Sequence, residues 1–186
     1  MITIKHQLSP SNLYFPHWEV KHLFVGTFNP TDGKPVKYYY GRKSNMTWKL
    51  VSNIFEMDFN QLSPNFIDGL IKYKIACVDL INAVVIGKDL KNKVTGEGYK
   101  DSAIINKKVK RGYNTKRILE LISDNPGIKV YSTWGKGSNL KEWKNECGKI
   151  PNLNSLLSPS MAARVPKGEE KFQYVLKNWR YNITIK

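Results

Sequence analysis

Short apolar runs alternate along the chain with longer segments whose apolar residues recur at helical spacing. A short apolar run bounded by turn residues predicts a buried strand, and apolar residues three and four apart predict a helix. The predicted strands are His22–Gly26 and residues 75–82, 128–132 and 153–157. The predicted helices cover residues 45–55, 65–73, 113–124, 137–146 and 168–180, with Ser138 or Asn139 as the cap of the fourth.

Strands that alternate with helices predict a parallel sheet with helices on both faces. We therefore expect an α/β fold, a three-layer α/β/α sandwich with a mostly parallel central sheet. With 186 residues, no internal repeat and no linker, the chain is expected to be a single domain over residues 1–186. In such folds, ligands bind at the carboxyl ends of the strands, so loops that follow strands are the first places to look for a site.

The net charge of the chain indicates which kind of molecule it binds. The chain has 30 Lys and Arg against 15 Asp and Glu, a formal net charge of +15, which favours nucleic acid as the partner. The basic residues concentrate between residues 88 and 117, in and after a long polar segment. Lys107, Lys108, Lys110 and Arg111 are the candidate DNA contacts; the alternative is a solvated surface. The basic residues do not follow one face of an amphipathic helix, and no apolar stretch is long enough to span a membrane.

Cysteine and histidine usage narrows the chemistry. Cys77 and Cys147 are the two cysteines, too few for the four thiolates of an iron–sulfur cluster. The three histidines do not cluster with carboxylates at ligand spacing, so no metal site and no cofactor are predicted. We expect a monomer in a reducing compartment, the cytoplasm, associated with the nucleoid, with no secretory signal.

Two segments carry the candidate chemistry. Gly26-Thr27-Phe28-Asn29-Pro30 follows the first predicted strand and leads to Tyr40 and to Asn45-Met46-Thr47-Trp48. Leu157-Ser158-Pro159-Ser160-Met161-Ala162-Ala163-Arg164 follows the last one. Since both follow strands, both are expected at the same edge of the sheet.

The ordered set of motifs resembles the uracil-DNA glycosylase superfamily, chiefly its mismatch-specific uracil/thymine branch and its hypoxanthine-DNA glycosylase branch. The resemblance runs from residue 21 to residue 164 and includes Tyr99-Lys100-Asp101-Ser102-Ala103-Ile104, which is similar to a segment of the hypoxanthine branch. It implies a monofunctional enzyme that flips a damaged, mismatched or modified base out of DNA and hydrolyses its N-glycosidic bond. Duplex DNA, or single-stranded DNA, would be the partner.

The resemblance also implies roles for individual residues. Asn29 would position the attacking water, and Asn45 is the rival for this catalytic role because the spacing after Gly26 differs between branches. Their structural alternatives are a turn and a helix cap. Gly26 would let the backbone approach the base, while Phe28 and Tyr40 would form the walls of the base pocket. The structural alternative for Tyr40 is core packing beside Tyr38 and Tyr39, since three tyrosines cannot all stack on one base.

Asp79, inside an apolar run, either reads a base edge, bonds the active-site loop or is a satisfied structural carboxylate. The late loop would enter the DNA groove; its structural alternative is a Pro-containing surface turn. Ser158 and Ser160 would bind phosphates, Met161 and Ala162 would fill the vacated stack, and Arg164 would contact the widowed base or a phosphate. Leu157 stands where the most active uracil enzymes have a histidine.

Two other functions fit less of the pattern. One is a non-catalytic nucleic-acid-binding protein that shares the fold. The other is a nucleotide- or flavin-binding protein with a phosphate loop at Gly26, but the chain lacks both Gly-x-Gly-x-x-Gly and Gly-Lys-Ser/Thr. The sequence does not name the base: uracil, thymine opposite guanine, hypoxanthine and a modified cytosine all remain open.

Overall fold

The computed structural model describes residues 1–31, 35–95, 101–135 and 139–183. In chain order its strands are β1 (Ile2–Lys5), β2 (His22–Gly26), β3 (Ile75–Asp79), β4 (Ile81–Ile86), β5 (Lys110–Tyr113), β6 (Lys129–Ser132) and β7 (Leu153–Ser155). Its helices are α1 (Thr47–Phe55), α2 (Phe66–Lys72), α3 (Lys91–Val94), α4 (Asp101–Ile104), α5 (Thr115–Asp124), α6 (Lys141–Gly148) and α7 (Lys171–Asn182).

The central sheet has four parallel strands in the order β3-β2-β6-β7. All residues of β2 and β3 are buried, as expected for strands covered on both faces. Gly26 pairs with Asp79, and Val25 with Ser132. The carboxyl ends of β2, β3 and β6 therefore lie level at one edge of the sheet, and the loops after them meet there.

Alternate residues of β2 point to two separate cores. Phe24 packs on one face with residues of α1, α2 and α7, where its ring stacks on Trp179 with 5.5 Å between centroids. Leu23 and Val25 pack on the other face with Ile118 of α5, Trp143 of α6 and the apolar residues of β1 and β4. These layers confirm the predicted three-layer α/β/α fold with a parallel central sheet.

The predicted strand 75–82 is wrong as a single element. It divides at Leu80: β3 belongs to the parallel sheet, whereas β4 pairs antiparallel with β1 and β5 in a second, three-stranded sheet. The break is fixed by hydrogen bonds, since the backbone N–H of Leu80 donates to Gly26 O and Asn114 Nδ2 donates to Asp79 O, both at 2.8 Å. Strand β1, which sequence periodicity did not predict, pairs with β4 on its outer side.

Other boundaries shift by a few residues. The helix predicted from residue 168 begins at Lys171. The Glu170 carboxylate caps it by accepting from the backbone N–H groups of Phe172 and Gln173, a function more often served by Asp, Asn, Ser or Thr. The helix predicted over 137–146 is α6, and its N-terminal flanking residue is Leu140 rather than the predicted Asn139. The alternative cap, Ser138, and Tyr99 and Lys100 of the hypoxanthine-like segment lie outside the described residues. The polar segment 87–112 contains a 3-10 turn (Lys88–Leu90), α3, α4 and the start of β5.

Candidate active site

A cleft of about 590 Å³ opens at the carboxyl edge of the parallel sheet. Its lining comes from the loops after β2 and β6, from Asp79 at the end of β3, from the first turn of α4, and from the loop between β7 and α7. The lining residues are Thr27, Phe28, Asn29, Tyr40, Gly41, Arg42, Ser44, Asn45, Asp79, Asp101, Ser102, Thr133, Ser158, Pro159, Ser160, Ala162 and Ala163.

The two motif segments, more than a hundred residues apart in sequence, form one wall of this cleft. Asn45 and Ser160 make an antiparallel bridge. The backbone N–H of Met46 donates to Pro159 O at 2.8 Å, and that of Met161 donates to Ser44 O at 2.9 Å. The start of α1 and the Ser-Pro-Ser loop are thus held together by backbone hydrogen bonds on both sides of the bridge.

Both candidate catalytic asparagines line the cleft, but their carboxamides differ in partners. Asn29 Oδ1 accepts from Arg42 Nη2 at 3.3 Å. Because a guanidinium has no acceptor, the oxygen must be the atom that faces Arg42, and the Asn29 amide N–H groups face away from it. Asn45 Oδ1 accepts from the backbone N–H of Thr47 at 2.8 Å, which ties this side chain to the start of α1.

The three consecutive tyrosines lie in different environments. Tyr38 and Tyr39 are buried in the core, each 1% exposed, whereas Tyr40 is half-buried and lines the cleft with Phe28. Tyr40 has a positive φ of 58°, and its hydroxyl is hydrogen-bonded to Thr133 Oγ1 at 3.1 Å. Burial raises the pKa of Tyr40 well above its usual value, so the hydroxyl stays protonated at neutral pH.

Asp79 lies at the floor of the cleft and is 4% exposed. Its Oδ2 is 2.8 Å from Nε2 of His6, which is completely buried. A Cβ at Gly26 would be 2.2 Å from Asp79 Oδ1 and 2.9 Å from the Tyr40 hydroxyl. Gly26 does not line the cleft; the space a side chain would need is filled by Asp79 and Tyr40, so its function here is to make room for both.

The predicted groove loop lies at the rim of the cleft. Ser158 Oγ accepts from the backbone N–H of Ser160, and Ser160 Oγ accepts from that of Ala162 at 3.2 Å. Met161 is exposed over 52% of its surface. Arg164 is exposed beyond the cleft lining.

The residue before this loop, Leu157, packs against the core, and its backbone O accepts from Trp179 Nε1. Leu157 therefore contributes apolar packing and does not line the cleft.

None of Lys107, Lys108, Lys110 and Arg111 lines the cleft. Lys107, Lys108 and Lys110 are exposed. Arg111 has a side chain that is only 1% exposed, with its guanidinium donating to Ile104 O, Asn106 O and Glu142. These contacts give Arg111 a structural role in tying the segment after α4 to α6.

Sequence reasoning missed His6 and Arg42 as parts of the site. His6 lies in the turn after β1, far in sequence from every motif, and no spacing rule connects it to Asp79. Arg42 lies between the motif residues Tyr40 and Asn45. A cation this close in sequence to a candidate asparagine could have been predicted as part of the site. Among the described residues, no group of three or more His, Cys, Asp or Glu side chains could hold a metal ion, and no helix there is long and apolar enough to cross a membrane.

Comparison with solved structures supports the fold. A solution NMR structure described as a "putative Uracil DNA glycosylase" from Methanosarcina acetivorans matches with a TM-score of 0.52 and 18% sequence identity, over 90% of this chain and 95% of that one. At this identity the match is evidence for a shared fold. Neither a protein-family model nor a curated protein matches the chain.

Proposed function

We propose that this protein is a monofunctional DNA glycosylase, which binds DNA with one base flipped into the cleft and hydrolyses the N-glycosidic bond of that base. The observation that carries the proposal is the convergence of Asn29, Tyr40, Asn45 and Ser160 on one cleft, with Asn45 and Ser160 bridged. A fold shared with a glycosylase-like structure over 90% of the chain gives this geometry its context.

The reaction sets three demands on the site. A water oxygen bonds to C1′ of the sugar, the C1′–N bond breaks with its electron pair passing to the base, and the water gives up a proton. The site must therefore hold the base, position the water and stabilise the negative charge that develops on the base.

The cleft has side chains suited to each demand. Tyr40 and Phe28 offer aromatic surface against which a base can pack. The Asn29 carboxamide can accept from water through the second lone pair of Oδ1 and donate through Nδ2. Arg42, 3.3 Å from Asn29 Oδ1, brings a positive charge beside the departing base. This charge partly replaces the histidine that the most active uracil enzymes have at the position of Leu157.

The rim of the cleft is suited to a bent duplex. Exposed Met161 can enter the stack vacated by the flipped base, as apolar wedges do in other DNA-bending proteins. Ser158 and Ser160 offer small hydroxyl groups to the flanking phosphates, and Arg164 offers a charge. The excess of basic residues supplies the long-range attraction to the backbone.

The test is excision itself. Purified full-length protein is incubated with duplexes that are identical except for one position, which carries uracil, thymine opposite guanine, hypoxanthine, or cytosine with or without a 5-substituent. Alkali then cleaves the strand at any abasic site. We expect cleavage at one or a few of these bases. Binding to DNA without an abasic product from any duplex would instead favour the non-catalytic nucleic-acid-binding function.

A further inference from the structure

The His6–Asp79 pair at the floor of the cleft fixes the hydrogen-bonding character of that floor. His6 Nε2 lies 2.8 Å from Asp79 Oδ2. On the other side of the ring, Nδ1 accepts from the backbone N–H of Leu8 at 3.1 Å, so Nδ1 carries no proton. Nε2 therefore carries it and donates to Oδ2. The carboxylate of Asp79 is held as an acceptor, with Oδ1 as its second oxygen.

Neither member of the pair can turn easily. The His6 ring is enclosed by the rings of Tyr14, Phe28 and Tyr39, with centroids 4.9, 5.8 and 5.5 Å away. The backbone of Asp79 is fixed by its pairing with Gly26 in the parallel sheet and by the hydrogen bond from Asn114 to its carbonyl. The part of Asp79 that lines the cleft thus presents a hydrogen-bond acceptor in a set position.

We propose that this pair selects a base whose edge carries an exocyclic amino group, as cytosine-type and adenine-type bases do, over uracil and hypoxanthine. The inference rests on the proposed glycosylase function. An amino group can donate to Asp79. The inference places this exocyclic group, rather than the neighbouring ring nitrogen, opposite Asp79. Uracil and hypoxanthine carry a carbonyl oxygen there, with their nearest proton on N3 or N1, so in the same placement the oxygen faces the carboxylate with no proton between them. A buried polar group left unpaired in this way is rejected strongly.

The same geometry predicts the effect of exchanging one atom. In the Asp79→Asn variant, His6 Nε2–H still donates, so the amide oxygen must face His6 and the amide NH₂ must face the cleft. The floor then changes from an acceptor to a donor. A donor pairs with the carbonyl of uracil or hypoxanthine and opposes the amino group of cytosine or adenine, so the preference should reverse.

The experiment measures single-turnover excision by the wild type and by Asp79→Asn. The substrates are oligonucleotides that carry cytosine, 5-methylcytosine, adenine, uracil or hypoxanthine at one position. Single strands are used beside duplexes, because without a partner strand the pairing energy does not distinguish the bases. Asp124→Asn makes the same chemical change at an exposed residue at the end of α5, and serves as the matched control.

We expect the wild type and Asp124→Asn to excise at least one amino-bearing base roughly a hundredfold or more faster than its carbonyl counterpart, and Asp79→Asn to reverse that ratio. A ratio between substrates on one preparation does not change when part of the protein is unfolded, so a structural role alone would not move it. Faster excision of uracil or hypoxanthine by the wild type, or an unchanged ratio in Asp79→Asn, would overturn this inference and leave the glycosylase function standing. Absence of excision from all of these substrates, and from the duplexes that test the proposed function, would overturn both.

Discussion

At the scale of single residues, the site depends on what each carboxamide oxygen already contacts. Asn45 Oδ1 accepts from the Thr47 backbone at 2.8 Å, so this side chain already serves the start of α1. Asn29 Oδ1 is contacted by the side chain of Arg42, at 3.3 Å. Because the partner of Asn29 is a side chain in the cleft and that of Asn45 is the helix backbone, we expect Asn29 to act on the water and the base.

Replacing Asn29 by Ala should therefore lower single-turnover excision by roughly a hundredfold or more, the scale of losing one positioned group in an active site. DNA affinity should change little, because the carboxamide acts mainly in the transition state. Single-turnover rates and a binding titration on the best substrate measure the two effects separately.

Asn45→Ala is the comparison that decides between the two asparagines. We expect a lower melting temperature, from the loss of the hydrogen bond to Thr47, with a smaller loss of rate than in Asn29→Ala. If Asn45→Ala abolished excision while Asn29→Ala remained active, the assignment would be reversed and Asn45 would be the water-positioning group.

Most residues that line the cleft could be predicted because they lie in contiguous motifs after strands. Asn29, Tyr40, Asn45 and Ser160 belong to this group. His6 could not, because its contact with Asp79 joins residues 73 positions apart through a turn that follows an unpredicted strand. The function of Gly26 was also hidden, since only the folded chain shows that Asp79 and Tyr40 fill the space next to it.

At the scale of elements, apolar periodicity predicted the four parallel strands and the five longer helices, but not the division at Leu80. Residues 75–86 are apolar throughout, apart from Asp79 and Asn82, and a continuous apolar run does not show where a chain leaves one sheet for another. That information lies in distant partners, such as Asn114, which contacts the carbonyl of Asp79. Strand β1 was missed because it is a short run at the edge of the second sheet.

One buried side chain at the start of β2 makes the stability of the fold depend on pH. Burial, with further effects from Lys129 and Lys21, lowers the pKa of His22 from 6.5 to about 4. His22 therefore binds a proton below about pH 6.5 in the unfolded chain, but only below about pH 4 in the folded chain. The contribution of His22 to stability is complete above pH 6.5 and is lost as the pH falls toward 4.

We expect the free energy of unfolding to fall by about 1–2 kcal/mol between pH 7 and pH 5 through His22, allowing for the part of the ring that solvent screens. Chemical denaturation at both pH values measures this difference. In His22→Phe the pH dependence over this interval should be reduced by that amount, whereas His17→Gln, which removes an exposed imidazole, should leave it in place. An equal pH dependence in His22→Phe and the wild type would mean that other groups cause the acid sensitivity.

At the scale of the whole molecule, the charge of the chain and the geometry of the cleft are separate contributions to one proposed function. The cleft contains Asp79 and Asp101 beside Arg42, so it is not itself a basic groove. The surplus of 15 positive charges lies mostly elsewhere on the chain. Long-range attraction to DNA would therefore come from the surface around the cleft, while the cleft selects and holds the base.

The basic run near β5 allows this division to be tested, provided that Arg111 is left intact. Its guanidinium bonds Ile104, Asn106 and Glu142, so its removal would disturb the fold and confuse the result. Lys107, Lys108 and Lys110 are exposed and can be changed together to Ala. If they contact phosphates, the slope of log binding constant against log salt concentration should become shallower by up to about 3, since each neutralised phosphate contributes about 0.9.

The excision rate at saturating enzyme should stay close to that of the wild type in this triple variant, because none of the three lysines lines the cleft. A titration of DNA binding at several salt concentrations, with single-turnover rates on the same preparation, separates the two effects. A variant with two exposed lysines of α6 and one of α7 changed to Ala, Lys141, Lys144 and Lys177, carries the same loss of net charge at another surface. If the salt slope becomes shallower by the same amount in both variants, DNA binding depends only on the total charge of the protein. A shallower slope in the β5 variant alone would mean that DNA contacts the surface beside β5.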